Sequence, residues 1–188
     1  MIILNGDFVD MLEEGYDYSK VAKYFLGEIP HERAIEIANY PFFWNVSDEL
    51  APFGSEEAYI SFEELCTWLR EHPKSSIFKC FEWILECWEI EVDDFNDSIL
   101  EEKNINKLIL DQDFDEELLM LDVAIIATGF GQLVLQGKID NNVKNIIQLS
   151  ILRQMNSQVL DAFLGDNEQW KYERFKYLSK LLDILEEA

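Results

Sequence analysis

Leu118–Leu135 reads LLMLDVAIIATGFGQLVL, eighteen residues with Asp122 as their only formal charge. No other stretch of the chain stays free of charge for so long. Asp115, Asp122, Gly129 and Gln136 recur every seven residues, which puts them on one narrow strip of a 3.6-period helix, with Gln132 close beside it. The rest of the circumference is apolar, and a helix apolar nearly all round is buried among other elements. Glu116 and Glu117 stand in the first turn, where the positive end of the helix dipole favours them. Gly129 and Gly131 each cost about 1 kcal/mol relative to Ala in a helix interior. They imply either close approach of a neighbouring helix or a break into two shorter segments, and Phe130–Leu135 carries a weak strand signal. A membrane span is the rival reading of so long an apolar run. Asp122 inside it, the acids before it and a single nearby cation, Lys138, argue against a span.

Downstream, Gly137 and the cap Asp140 introduce one long helix over Asn141–Leu164. Val143, Ile147, Ile151, Met155, Val159 and Phe163 repeat every four residues, a row that drifts around a 3.6-period helix and implies burial on more than one side. Gly165 stops it and Asp166 starts a last helix, with Trp170, Phe175, Leu178, Leu182 and Leu185 inward. Lys171, Arg174, Lys176 and Lys180 are read there as a solvated face whose stems pack on apolar surface. Upstream, Ser61 and Glu64 form a capping box before a helix that ends near His72–Pro73. A second helix spans Ser76–Ile90, and the two make a hairpin across Glu71–Ser75. Ser98 and Glu101 form another capping box.

Pro30 opens an earlier helix. Tyr40–Trp44 is an aromatic cluster that anchors a loop in the core, and residues 40–55 are the longest irregular connection and the candidate subdomain boundary. Met1–Leu4 is a strand or a loosely tied end, followed by short helices over Asp7–Glu14 and from Asp17 to Gly27. The fold class expected is all-α: a single compact domain, residues 1–188, a bundle of about seven to nine helices around a buried central helix near residues 115–136.

The net charge is −23, unevenly spread. Residues 82–117 hold 14 acids and 2 bases, net −12, so about half the charge lies in 36 residues just before the apolar stretch. Such a surface repels nucleic acid and anionic membranes and attracts basic partners. The hydrophobic fraction of 48% supports a sizeable core, which separates this chain from acidic disordered proteins. Cys66, Cys80 and Cys87, an odd count, fit reduced thiols in the cytoplasm, and the opening MIILNGDF lacks the marks of a targeting segment.

Catalytic motifs are missing. His31–Glu32 begins like HExxH, but Ile35 stands where the second His belongs. His31 and His72 are the only histidines, and there is no GxSxG or P-loop. Gly129–Phe130–Gly131 lacks the third glycine of a dinucleotide fingerprint. Asp111, Asp113 and Asp115 resemble the start of a calcium loop, yet Glu116 replaces the required glycine and Asp122 the closing glutamate. Cys80 and Cys87 sit seven apart on one helix face, as core residues do, with no CxxC pair. No catalytic residue, cofactor or metal ligand is therefore assigned. Asp122 is expected to bond across the polar strip to a neighbour.

These features favour a non-catalytic inhibitor or immunity-type protein. Its acidic surface would cover the basic, nucleic-acid-binding face of a partner such as a nuclease toxin or defence effector, as a nucleic-acid mimic does. The candidate contact residues are Glu82, Glu86, Glu89, Glu91, Asp93, Asp94, Asp97, Glu101, Asp111, Asp113 and Asp115. The alternatives are a carboxylate- or metal-dependent enzyme in a helical bundle and an acidic scaffold subunit.

Overall fold

The computed structural model describes residues 27–110 and 116–188. The expectations for Met1–Leu4, for the two helices before Gly27 and for Asp111, Asp113 and Asp115 lie outside the described residues. The fold is all-α: eight α-helices, and no strand among the described residues. They are α1 (Glu32–Ile37), α2 (Glu56–Glu71), α3 (Phe78–Cys87), α4 (Glu102–Leu110), α5 (Glu116–Gln136), α6 (Asn141–Gln154), α7 (Ser157–Leu164) and α8 (Glu168–Glu187), with 3-10 turns at Pro41–Trp44, Val92–Asp94 and Asp97–Leu100.

The apolar stretch forms α5 without a break, so Phe130–Leu135 is helix and not strand. Its two interior glycines are contact points. A Cβ on Gly129 would collide with the Ile147 side chain of α6, and one on Gly131 would stand 2.7 Å from Leu65 Cδ2 of α2. Leu119–Gln136 has the length and hydropathy of a membrane span, but 72% of that window is buried inside the protein, where side chains stand in place of lipid.

The seven-residue strip on α5 is its seam with α6. Asp122 meets Arg153, Gly129 meets Ile147, and Gln132 Oε1 accepts the Asp140 N–H at 3.0 Å where α6 begins. Contacts at ascending positions on α5 fall at descending positions on α6, so the two helices run antiparallel. Asp140 is the N-cap of α6 by backbone position but makes no side-chain cap; its carboxylate takes Lys138 instead.

Residues 40–55 feed the same core. Phe43 packs edge-on against Phe53 (5.5 Å between centroids) and Phe130 (5.8 Å), and Phe53 against Phe62 (5.4 Å). Four rings thus join this irregular segment to α5 and α2, each pair contributing roughly 0.5–1.5 kcal/mol beyond its buried area. A smaller cluster of Ile105, Leu119 and Val159 joins α4 and α7 to the start of α5.

Several helix boundaries differ from the sequence expectation, each for a local reason. Helix α2 is capped by Ser55, six residues before Ser61, and its hydroxyl accepts from Ala58 N; Ser61 is mid-helix and bonds back to Glu57 O. The long helix over 141–164 is two, because Asn156 caps α7 by accepting from Gln158 N at 2.9 Å. Asn96 and not Ser98 is the cap after the acidic loop, and Asn167 and not Asp166 is the cap of α8. On α8 the buried row is Arg174, Leu178, Leu181 and Leu185. Phe175 is offset from it by one residue, about 100°. Trp170 lies in the first turn, and both aromatics are nearly half exposed, not inward.

Helix α3 ends at Cys87, short of Ile90. Glu89 takes φ 57° and Ile90 N bonds to Leu85 O at 3.0 Å, a Schellman-type stop without the usual glycine. A left-handed non-glycine residue is strained by about 1–2 kcal/mol. Glu89→Gly is expected to raise stability by roughly 0.5–1 kcal/mol in urea denaturation.

Candidate functional site

Residues 82–102 carry nine acids and no Lys or Arg. Glu82 and Glu86 lie one turn apart on α3, so like charges share a face. Glu89 occupies the strained stop, Glu91 caps the turn Val92–Asp94, Asp93 and Asp94 lie within that turn, Asp97 opens the next and Glu101 closes it. Glu82 is half-buried and the other seven are exposed. Glu82 pairs with Lys79 (2.6 Å) and Glu101 with Lys103 (2.7 Å). Glu86, Glu89, Glu91, Asp93, Asp94 and Asp97 form no ion pair among the described residues. A long run of carboxylates therefore faces solvent with no cation paired to it among the described residues.

The chain under this run is fastened. Asn96 holds both turns, donating from Nδ2 to Asp93 O (2.7 Å) and accepting from Ser98 N (2.9 Å). Asn104 of α4 donates to Ser98 O at 2.7 Å. Phe95, in the middle of the acids, is 3% exposed, and its ring lies 5.3 Å from the Arg153 guanidinium carbon. That contact is a cation–π interaction in a desolvated setting.

Arg153 is in turn clamped to Asp122. Its Nε donates to Oδ2 at 2.8 Å and its Nη2 to Oδ1 at 2.7 Å, a bidentate fork with both side chains buried. Burial pushes the Asp122 carboxyl above the ordinary range, against the pull of Arg153. Arg174 is the second buried cation. It donates from Nη1 to Leu50 O (2.6 Å) and from Nε and Nη2 to Gln154 Oε1. Burial lowers it to about 10, with the charges of Asp122 and Asp48 acting the other way. Tyr177 donates to Asp48 at 3.0 Å and stacks on Phe42 at 4.3 Å, so α8 secures residues 40–50.

The expected polar contact of Asp122 is thus present, while the reading of Arg174 as part of a solvated face is overturned. Its row, i, i+4, i+7, i+11 with three leucines, is the signal that marks it as inward. The aromatic cluster lies in the core as expected, with Phe43 and Trp44 buried. The two helices α2 and α3 each pack on α5, and an open groove runs between them. Cys80 is buried, but Cys87, seven residues on, is exposed at the groove and is not a core residue. Burial pushes the Cys66 thiol up to about 11 and the Cys80 thiol up to about 12. Among the described residues no three His, Cys, Asp or Glu side chains converge as a metal site would require.

Neither a protein-family model, nor a curated protein, nor a solved structure matches this chain.

Folding raises the Asp122 pKa, so the stability linked to that group is fully present below the pKa of the unfolded chain and is lost as pH rises through the higher folded value. Removing the cation widens that window. Arg153→Met should cost about 3–5 kcal/mol at neutral pH. Part of the loss should return on acidification, as Asp122 takes up a proton. The double variant Asp122→Leu/Arg153→Met should recover most of the loss at neutral pH, measured by urea unfolding at both pH values.

Proposed function

We propose that this protein binds and blocks a basic protein partner through its acidic face, residues 82–101. The partner surface is one that otherwise holds nucleic acid, as in a nuclease toxin or a defence effector. The observation that carries this reading is the run of six unpaired, exposed carboxylates on a chain fastened by Asn96, Phe95 and Asn104. A row of negative charge on a hydrogen-bonded frame resembles the phosphate row of a nucleic acid in the sign and density of its charge. Long-range attraction then speeds encounter, and preorganisation lowers the ordering cost on binding. No nucleic acid or anionic membrane is expected to bind directly. With all three thiols free, we place the protein in the cytoplasm.

The test uses the protein as bait on a column loaded with cell extract at low salt. Basic proteins should be retained, and duplex DNA or heparin should elute them by competing for the same face. Reversing Asp93, Asp94 and Asp97 to Lys should slow association by about tenfold or more and flatten its salt dependence. Retention that survives high salt, or that is indifferent to the triple reversal, contradicts the reading.

A further inference from the structure

The groove between α2 and α3 has features that the acidic face does not use. It comprises two adjoining hollows of about 610 and 300 Å³ that share Ile60, Glu64 and Trp83. Along α2 its lining recurs at Glu57, Ile60, Glu64, Trp68 and Glu71, one face of that helix on which Ile60, Glu64 and Glu71 are exposed and Glu57 and Trp68 half-buried. From Glu57 to His72 the rise is ~22 Å. Helix α3 contributes Cys80, Trp83, Ile84 and Cys87, again at helical spacing. Ile60 and Trp83 are 46% and 43% exposed, so the floor is apolar and open. The walls are acidic, with Glu57, Glu63, Glu64 and Glu71, and among the described residues no Lys or Arg lines either hollow. At the base, Thr128 of α5 is 1% exposed and its hydroxyl has no hydrogen-bond partner among the described residues. A buried hydroxyl left unpaired is destabilising, and a polar atom arriving in the groove would satisfy it.

We propose that this groove docks a basic amphipathic helix of the protein partner, an inference that rests on the acidic face being a protein-binding surface. Among the described residues, the open parts of these two helix faces, Ile60 and Glu64 of α2 beside Trp83 and Cys87 of α3, form the seat for a third helix. The ~22 Å length matches a helix of about fifteen residues, far more than a compact metabolite would fill. Leucine or aromatic side chains of that helix fill the floor at Ile60 and Trp83, and its Lys and Arg residues reach the four wall carboxylates. A serine, threonine or asparagine on its apolar face meets Thr128. The acidic face steers the encounter, and the groove supplies the desolvated anchor.

The probe is a labelled synthetic helix with Leu, and one Ser, on one face and Lys on the other, together with the same design carrying Glu for Lys. Binding is read by fluorescence anisotropy and by protection of Cys87 from iodoacetamide in mass spectrometry. The Lys helix should bind and shield Cys87, and the Glu helix should do neither. Ile60→Ser and Trp83→Ser, both half-exposed positions, should each weaken the Lys helix about tenfold or more while circular dichroism stays unchanged. Thr128→Val should raise the Tm of the free protein and weaken the Lys helix. Equal binding to wild type and both serine variants, or undiminished alkylation of Cys87, overturns the proposal. If partner capture responds to the Asp93, Asp94 and Asp97 reversal but not to the serine variants, the groove falls and the acidic face stands. If it responds only to the serine variants, the contribution of Asp93, Asp94 and Asp97 falls and partner docking in the groove stands.

Discussion

A carboxylate in the middle of an apolar helix needs a cation opposite it, and Asp122 has Arg153. The two make a bidentate pair inside the seam between α5 and α6. Taking both charges out of water costs several kcal/mol per ion, and the fork geometry recovers much of that. The net contribution to stability is modest. What the pair fixes is geometry: the fork has one register, and it lies on the same strip as Gly129–Ile147 and Gln132–Asp140. A helix apolar on nearly every side could rotate or slide among equivalent packings. One buried polar pair removes that freedom, a use for which buried polar residues have precedent in coiled coils.

The same pair links the core to the surface. Arg153 presents its guanidinium to Asp122 in its plane and to Phe95 beside it. Phe95 is the one buried side chain of the acidic turns, and Asp93, Asp94 and Asp97 flank it. Nine like charges within 21 residues repel one another. Without an anchor, a segment of that composition would expand away from the fold. The turns that carry the carboxylates are thus anchored at Phe95 against an arginine that none of them touches as an ion pair among the described residues.

Much of this was legible in the sequence. The charge pattern alone located α5, and the seven-residue recurrence located its polar seam. The packing of the glycines against α2 and α6 matches one of the two alternatives left open for them. What was hidden depends on distant pairing. Arg174 looks like one basic residue among four on α8, and only its alignment with Leu178, Leu181 and Leu185 marks it as buried. The role of Phe95 needed the position of Arg153, 58 residues away in the chain. The cap at Asn96, two residues before the Ser98 that the capping-box pattern singles out, is set by local backbone geometry, because Asn and Ser suit an N-cap equally well. The α2–α3 groove leaves no sequence mark, since residues lining an open groove and residues filling a core share the same periodicity.

Hydrogen exchange across residues 91–101, compared between wild type and Arg153→Lys, reads whether the buried pair holds the acidic turns. Lysine keeps the charge opposite Asp122 but loses the fork and most of the contact with Phe95. If the buried pair holds the acidic face in place, the amides of Asp94, Ile99 and Glu101, bonded to Glu91, Asn96 and Ser98, will exchange faster in the variant. Those of α2 will keep their protection. Unchanged exchange in 91–101 would mean that the acidic turns hold their shape without Arg153 and that the buried pair does not anchor them.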